Sequence, residues 1–460
     1  MIRSGPRNVG RALAFAAGLS LVAAELSGCA GLKTPPNPFN FGGGKEKNAS
    51  ARVAPGQRIP VLASSQTLEA APALKGVDFS IPAPQAQASW PLPGGNAEQS
   101  VEHVAAGAEF KIAWRRKVGA GDTRTTHIMA PPVVGDGRIY MLDGKAQVAA
   151  LDPTNGRELW RTDLSVKRGP DREAFGGGVA YADGMVFVSS GYRFVAALDA
   201  ASGRQLWRVE TSSPMHGAPT VSGGKVYVID VVDQLQALDA KTGASAWTYQ
   251  PLEEPARMLI ASSPAVLGDQ VVAPFASGEL VALSATNGTD LWTDVLSLTS
   301  RNNALSEIRD ISGRPAIYRG MVFAGSHSGV LGAVDLRTGQ RAWSLPVAMI
   351  SAPWPAGDVV YAVGQQGEVI CAARDSGQIY WINRLNAGVK KKQEQDWSGP
   401  ILASNRLVMA SDKGELLALD PKTGKQLATL RLGAPAYMTP IATGGLLYVL
   451  TNTGELIAIR

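Results

Sequence analysis

Cysteine is almost absent from this sequence. Only two occur among its 460 residues, Cys29 and Cys371. Cys371 lies in the apolar run Val369–Ala372, which predicts a buried structural thiol rather than a nucleophile. If Cys29 is covalently modified, Cys371 has no partner, and a disulfide within the chain is excluded.

Histidine and net charge are also scarce. Lysine and arginine exceed aspartate and glutamate by only five, which is too mild an excess to indicate nucleic-acid binding. The four histidines lack the spacing of metal ligands, so no metal site is predicted. They are His103, His127, His216 and His327. The sequence therefore predicts no metal, no catalytic residue and no nucleic-acid partner.

No apolar run has the roughly 20 residues that a membrane-spanning helix needs. At the start of the chain, Arg3, Arg7 and Arg11 precede a short apolar stretch at 12–24. Positive charge followed by a short apolar core is typical of a secretory signal peptide, predicted here at 1–28.

The residues that end this leader indicate a lipid anchor. Leu26-Ser27-Gly28-Cys29 resembles a bacterial lipobox, in which the cysteine is lipidated and becomes the new N-terminus. Ala30 follows it, and the lack of an Asp there resembles the enterobacterial signal for the outer membrane. We therefore expect Cys29 to anchor the protein to the outer membrane, with the remaining chain in the periplasm.

Residues 29–88 are rich in Pro, Ala, Gly, Gln and Ser and show no apolar periodicity. Such a composition predicts a flexible tether. The composition changes at Ser89-Trp90-Pro91, and Gly94-Gly95-Asn96 has the character of an entry turn. We expect the folded domain to cover 89–460.

The folded domain consists of repeats. In most repeats an apolar run ends at Asp, Gly follows four residues later, and Trp follows four residues after that, as in Asp152, Gly156 and Trp160. Ser284 takes the Asp position in the fourth repeat. Asp can accept hydrogen bonds from nearby backbone N–H groups, Gly allows the positive φ of the turn, and Trp needs a neighbouring repeat to cover it. The series of tryptophans is Trp160, Trp207, Trp247, Trp292, Trp343 and Trp381, and Ala428 takes the seventh position.

A second landmark counts the repeats. Pro132 is followed eight residues later by Tyr140, and the same frame occurs eight times in all, the last at Pro440. In the second copy Val179 takes the place of the proline. Each repeat then holds four strands, except that the last has no fourth strand before the chain ends. The strand 110–114, which carries Trp114, can supply it. The sequence thus predicts an all-β, eight-bladed propeller with four-stranded antiparallel blades, closed by terminal strands that share a blade.

The repeated Leu-Asp-x-x-x-Gly-x-x-Leu-Trp resembles the quinoprotein-like, or PQQ-type, propeller family over about 90–460. Together with the lipobox, the tether and the eight blades, the chain is similar to the BamB family of outer-membrane lipoproteins. This resemblance implies a non-enzymatic, monomeric scaffold without a cofactor. It would bind the barrel protein BamA and assist the insertion of nascent outer-membrane proteins.

The resemblance also implies where the partner binds. BamB proteins contact BamA through two loops that precede consecutive blades. The first corresponds to 257–264, in which Arg257 and Leu259 are candidate contacts. The second contains Arg309 and Asp310, and Ser312 stands where the family has a second acidic residue.

Two other functions stay open. A PQQ-dependent dehydrogenase would use a catalytic Asp and a bound Ca²⁺, and many such enzymes carry an adjacent Cys-Cys pair, which this chain lacks. A generic periplasmic binding propeller is the second alternative, because propeller faces bind many kinds of partner.

Overall fold

The computed structural model describes residues 68–166, 175–251, 262–297, 310–311 and 313–460, which form a ring of eight β-sheets. Each sheet has four strands, and neighbouring strands are antiparallel. The fold is an eight-bladed propeller, which confirms the predicted fold class. No helix in the described ranges is both long and apolar enough to cross a membrane.

The strands are numbered in chain order, and β1 (Ile112–Lys117) belongs to the last blade. Blade 1 has β2 (Val133–Gly135), β3 (Arg138–Leu142), β4 (Gln147–Leu151) and β5 (Glu158–Asp163); blade 2 has β6 (Gly177–Ala182), β7 (Met185–Ser190), β8 (Phe194–Asp199) and β9 (Gln205–Glu210). Blade 3 has β10 (Thr220–Ser222), β11 (Lys225–Ile229), β12 (Leu235–Asp239) and β13 (Ser245–Tyr249); blade 4 has β14 (Ala265–Leu267), β15 (Gln270–Pro274), β16 (Glu279–Ser284) and β17 (Asp290–Val295). Blade 5 has β18 (Ala316–Tyr318), β19 (Met321–Gly325), β20 (Leu331–Asp335) and β21 (Arg341–Leu345); blade 6 has β22 (Trp354–Ala356), β23 (Val359–Val363), β24 (Glu368–Ala373) and β25 (Ile379–Arg384). Blade 7 has β26 (Trp397–Ala403), β27 (Arg406–Ser411), β28 (Glu415–Leu419) and β29 (Gln426–Arg431); blade 8 has β30 (Ile441–Thr443), β31 (Leu446–Leu450) and β32 (Glu455–Ile459), completed by β1. Within the described ranges, short 3₁₀ turns lie at Pro72–Leu74 and Lys391–Gln393.

The middle strands of a blade are apolar because neighbouring blades cover both of their faces. All of β23, Val359–Val363, is buried. In the outermost strand β21, by contrast, Trp343 is buried while Arg341 and Ser344 are exposed. A continuous apolar run therefore marks an inner strand, and alternation marks the outer edge of the ring.

The repeated Asp and Gly build the turn between the third and fourth strands. In blade 3, the Asp239 carboxylate accepts hydrogen bonds from the backbone N–H of Thr242 at 2.8 Å and from its hydroxyl at 2.8 Å. Gly243 has φ +74°, and a Cβ there would lie 2.7 Å from the Trp207 ring of blade 2. Glycine is needed here for the positive φ of the turn and for the close approach of the indole of the preceding blade.

Each tryptophan of the series lies against the next blade. Its indole N–H donates to a backbone carbonyl oxygen in that blade, which satisfies the one polar group of the ring. These bonds are Trp114–Pro153 (3.2 Å), Trp160–Ala200 (3.0 Å), Trp207–Ala240 (3.0 Å), Trp247–Ala285 (3.1 Å), Trp292–Leu336 (2.7 Å), Trp343–Arg374 (2.7 Å) and Trp381–Pro421 (3.2 Å).

The ring closes where β1 pairs antiparallel with β32. The strand begins at Ile112, two residues later than predicted, because Phe110 has φ +54° and cannot continue an extended strand. Trp114 on this strand reaches Pro153 of blade 1. Closure thus joins the two ends of the folded chain and covers the edge of β32 that would otherwise be unpaired.

The structure differs from the predicted tether over residues 68–88, which contact the ring. Phe79 is buried and lies against the Tyr380 ring, with 4.5 Å between the ring centres. Ala71 donates its backbone N–H to Ile379 at 2.8 Å. Proline-rich chain without apolar periodicity still docks when isolated aromatic and backbone groups find partners on a preformed surface.

Residues 87–107, the plug segment, cross the central channel and contact the innermost strand of every blade. Trp90 is buried in the channel and stacks on Trp354 of blade 6, with ring planes 9° apart. Backbone or side-chain hydrogen bonds join the segment to Val134, Tyr181, Thr220, Val266, Ile317, Trp354, Leu402 and Thr443, one in each successive blade. The propeller is therefore filled by its own N-terminal chain at one end of the channel.

Candidate partner-binding face

The ring has two faces that differ in their connections. The entrance face carries the links from the fourth strand of one blade to the first strand of the next, together with the turns between second and third strands. The opposite face carries the Asp–Gly turns and lies on the side of the plug segment, where Ser404 of the β26–β27 turn donates to the Val104 carbonyl oxygen at 2.8 Å. Both loops predicted to bind a partner are links of the entrance face, where loops on a rigid ring can vary without disturbing the sheets.

Of the predicted contact residues, only Asp310 lies within the described part of the chain. Arg257, Leu259 and Arg309 lie outside it, and so does the predicted lipidation site Cys29. The roles assigned to these residues therefore stay predictions.

Asp310 is fixed where its loop meets blade 5. Its carbonyl oxygen accepts a hydrogen bond from the backbone N–H of His327 at 2.8 Å, and Ile311 forms an antiparallel bridge with Ser326. Asp310 is 3% exposed, and Ile311 is buried as well. The end of this loop is thus held as a short extra strand against the β19–β20 turn, with the carboxylate of Asp310 inside rather than on the rim.

A small pocket opens beside that turn, with a volume of about 170 Å³. His327 and Gln365 form one wall, joined by a 2.6 Å contact between Nδ1 and Nε2. Trp397 forms another wall, and its indole N–H is buried without an acceptor among the described residues. The pocket is therefore lined by both polar and apolar side chains, including Asp396 and Ile350.

Three blades carry a large apolar or aromatic side chain on this face. Ile350 is 44% exposed and Tyr437 is 50% exposed. Ile350, Trp397 and Tyr437 each stand three residues before the proline that starts a blade. Sequence reasoning missed them, although their fixed distance from the blade start would have placed them together at the channel mouth.

Two histidines on this face, His216 and His327, are uncharged near neutral pH. Burial lowers the pKa of His216 to about 4 and also lowers the pKa of His327. The Phe175 ring lies between His216 and His127, stacked on the first at 4.9 Å and edge-on to the second at 5.0 Å. His216 and His327 therefore present neutral rings rather than charge.

Cys371 lies in the interior, away from this face. Its thiol is fully buried in β24, as predicted, and burial raises its pKa well above the ordinary value. A thiol that is neutral and inaccessible is a packing group.

The chain resembles known proteins in both sequence and fold. The family described as "Outer membrane protein assembly factor BamB" matches residues 98–170, 144–383 and 389–460. BamB of Alkalilimnicola ehrlichii is 29% identical over 371 residues, covering 80% of this chain and 93% of that protein. BamB of Escherichia coli K12 is 26% identical over 393 residues, covering 75% and 88%.

Solved structures agree on the fold. The crystal structure of BamB from Moraxella catarrhalis has a TM-score of 0.62 at 19% identity and covers 71% of this chain and 95% of that one. Quinohemoprotein alcohol dehydrogenase from Comamonas testosteroni has a TM-score of 0.63 at 15% identity, covering 80% of each. At these identities the likeness shows the propeller alone, for the enzyme and the assembly factor alike. The match to the family extends over most of the sequence, and the chain therefore belongs to the BamB family of outer membrane protein assembly factors.

Proposed function

We propose that this protein is a non-enzymatic scaffold in the assembly of outer-membrane β-barrel proteins. It is anchored to the outer membrane through lipidated Cys29 and faces the periplasm. It binds a BamA-like barrel protein and assists the insertion of nascent barrel proteins. The observation that carries this proposal is the match to the BamB family over residues 98–170, 144–383 and 389–460. The relatives in this family are named outer membrane protein assembly factors.

The architecture supports a scaffold. The ring is closed by β1 and its channel is filled on one side by the plug segment, so the entrance face is held by a rigid body. A rigid body that presents several loops loses little conformational entropy when a partner docks on them.

We place the partner on the entrance face, at the loops that contain Arg257, Leu259, Arg309 and Asp310. The backbone bond from His327 to Asp310 makes the second loop continuous with the β19–β20 turn and its pocket. The contact surface then extends from these loops to the exposed side chain of Ile350. This surface combines polar and apolar groups, as protein interfaces do.

Co-purification tests the proposal. The tagged, lipidated protein is extracted with mild detergent, and its companions are identified by mass spectrometry. A BamA-like protein should be recovered with the wild type, and its recovery should fall at least about tenfold for Leu259→Asp or Arg257→Glu, since truncated or reversed central contacts cost about 2 kcal/mol or more.

Arg337→Glu is the matched control, because Arg337 is exposed in an Asp–Gly turn on the opposite face. It should leave recovery unchanged. Asp310 is unsuited to charge reversal because it is buried, so Asp310→Asn is the milder variant. If no barrel-assembly protein is recovered even after cross-linking, the scaffold proposal is wrong, and the protein is a tethered binding propeller with another partner.

The anchor has its own test. Cys29→Ala should move the protein from the membrane fraction to the soluble periplasmic fraction, because a lipid chain is the proposed attachment. Retention of this variant in the outer membrane would refute lipidation at Cys29, whatever the outcome of the co-purification.

A further inference from the structure

Arg314 stands immediately before Pro315, where blade 5 begins. In the other seven blades this position is taken by a small or uncharged residue. Those residues are Pro131, Gly178, Ala218, Ser263, Ala352, Gly399 and Thr439. Blade 5 therefore departs from the repeat, because it has a long, positively charged side chain where the other blades have small or uncharged ones.

Side chains at this position face the axis of the ring. A Cβ built on Gly178 would lie 2.5 Å from the Cβ of Ala130 in blade 1 and 2.6 Å from the Cβ of Ala218 in blade 3. Only a direction toward the centre brings one side chain against both flanking blades. Ser263 holds the same position in blade 4, and its hydroxyl donates to the Ala218 carbonyl oxygen of blade 3 at 2.8 Å. The residues at this position therefore form an inner circle around the axis. By the repeat, Arg314 extends from this circle as well.

The Arg314 guanidinium has no protein acceptor among the described residues. Its Nε is buried without a hydrogen-bond partner, while the residue as a whole keeps partial exposure. Several other arginines pair with carboxylates, such as Arg341 with Asp294 at 2.6 Å and Arg161 with Glu158 at 2.6 Å. Burial lowers the pKa of Arg314 to about 10, so it remains charged at neutral pH.

A second donor lies in the neighbouring blade. Ser262 stands two residues before the blade-4 proline Pro264, and its hydroxyl is buried without an acceptor in the described chain. The equivalent residue of blade 5 is Gly313, whose built Cβ would lie 2.5 Å from the Ser351 carbonyl oxygen of blade 6. By the repeat, the Ser262 side chain therefore faces blade 5, the blade that carries Arg314.

The plug segment closes the channel beyond this level. Gln99 reaches across from it and donates to the Thr220 hydroxyl at 3.1 Å and to the Pro264 carbonyl oxygen at 3.2 Å. The plug segment therefore blocks one approach to Arg314. We call the inner wall around Arg314 and Ser262, on the entrance-face side of the plug segment, the recess.

We propose that this recess binds a carboxylate, with the Arg314 guanidinium as its main donor and the Ser262 hydroxyl as a second. A guanidinium presents two parallel N–H groups that match the two oxygens of a carboxylate. One cation balances one negative charge, which favours a carboxylate over a phosphate dianion. The small residues on the other blades leave room for the group that carries it. The carboxylate comes either from a free organic acid or from a side chain of a docked protein.

Thermal unfolding of the full-length lipidated protein in a neutral detergent tests the site, with acetate as the probe. Replacing about 100 mM chloride by acetate at constant ionic strength and pH should raise the Tm of the wild type by about 2 °C, since a ligand that binds only the folded state stabilises it. Arg314→Met should abolish this acetate-dependent rise.

Arg314→Met should also raise the Tm in chloride, because it removes a buried charge that lacks a protein partner while keeping the length of the side chain. Arg337→Met on the opposite face should keep the full acetate effect. Arg314→Gln serves if the Met variant fails to fold. The proposal is overturned if acetate does not raise the Tm of the wild type, or raises it equally in the Arg314 variants.

A second arm, which rests on the proposed function, separates the two sources of carboxylate. If Arg314→Met loses the acetate effect and still co-purifies with the barrel protein, the ligand is a free acid. If Arg314→Met loses both the acetate effect and the co-purification, while the Arg337→Met control keeps both, the carboxylate belongs to the partner. If the wild type does not co-purify with a barrel protein, the scaffold proposal is refuted. The acetate experiment would still decide whether Arg314 binds a carboxylate.

Discussion

Trp247→Ala tests the packing that holds the blades together. Trp247 is 9% exposed in blade 3, and its indole N–H donates to the Ala285 carbonyl oxygen of blade 4 at 3.1 Å. Its ring also lies against Gly288 and 5.8 Å from the ring of Tyr227. Truncation would remove the ring from between two blades and leave the Ala285 carbonyl oxygen without its donor.

The magnitude follows from these contacts. An indole buries about 200 Å² of surface, which at about 25 cal/mol per Å² corresponds to roughly 5 kcal/mol of transfer free energy. Measured losses for large core truncations are about 3–5 kcal/mol, because the cavity relaxes in part. We expect Trp247→Ala to lower the free energy of unfolding by that amount. Trp247→Phe should cost less, about 1–3 kcal/mol, since it keeps an apolar ring and loses mainly the hydrogen bond.

Equilibrium unfolding in urea, followed by circular dichroism, measures both variants. Leu427→Ala is the matched control, because Leu427 lies on the outermost strand of blade 7 and is 51% exposed. It should change the free energy of unfolding by no more than about 0.5 kcal/mol. A loss below about 1 kcal/mol for Trp247→Ala would refute the view that inter-blade indoles stabilise the ring.

Three further predictions rest on single residues. Gly243→Ala should destabilise the ring by about 2 kcal/mol, because φ is +74° and the added Cβ meets an indole of the preceding blade, whereas Gly223→Ala, at φ +57° with no atom within 4 Å, should cost about 1 kcal/mol in the same unfolding assay. Thr242→Val should raise the pKa of Asp239, which the Thr242 hydroxyl holds below its ordinary value, as measured by carboxyl ¹³C NMR. The contribution of Asp239 to stability is present above its unfolded pKa of about 3.9 and is lost as the pH falls through the lower folded value. Cys371 should not react with a thiol reagent until the protein unfolds, since its thiol is buried with a raised pKa; rapid reaction of the native protein would contradict this.

The number of blades, their closure and the spacing of the tryptophans could all be predicted from the sequence. The reason is that each repeat is a local unit of strands and turns. Asp239 and Gly243 act within one turn, and Trp247 needs only the next repeat to cover it, so their pattern recurs at a fixed period. The closing strand was predicted for the same reason, because a blade with three strands lacks one partner.

The course of residues 68–107 was decided by the tertiary structure alone. Trp90, Gln99 and Glu102 contact blades that are far apart in sequence, and no period or composition signals contacts that exist only after the ring has formed. The same holds for the burial of Asp310 against His327 and for the axial position of Arg314. A repeat determines the ring from local chemistry, but what lies at its centre depends on all eight blades at once.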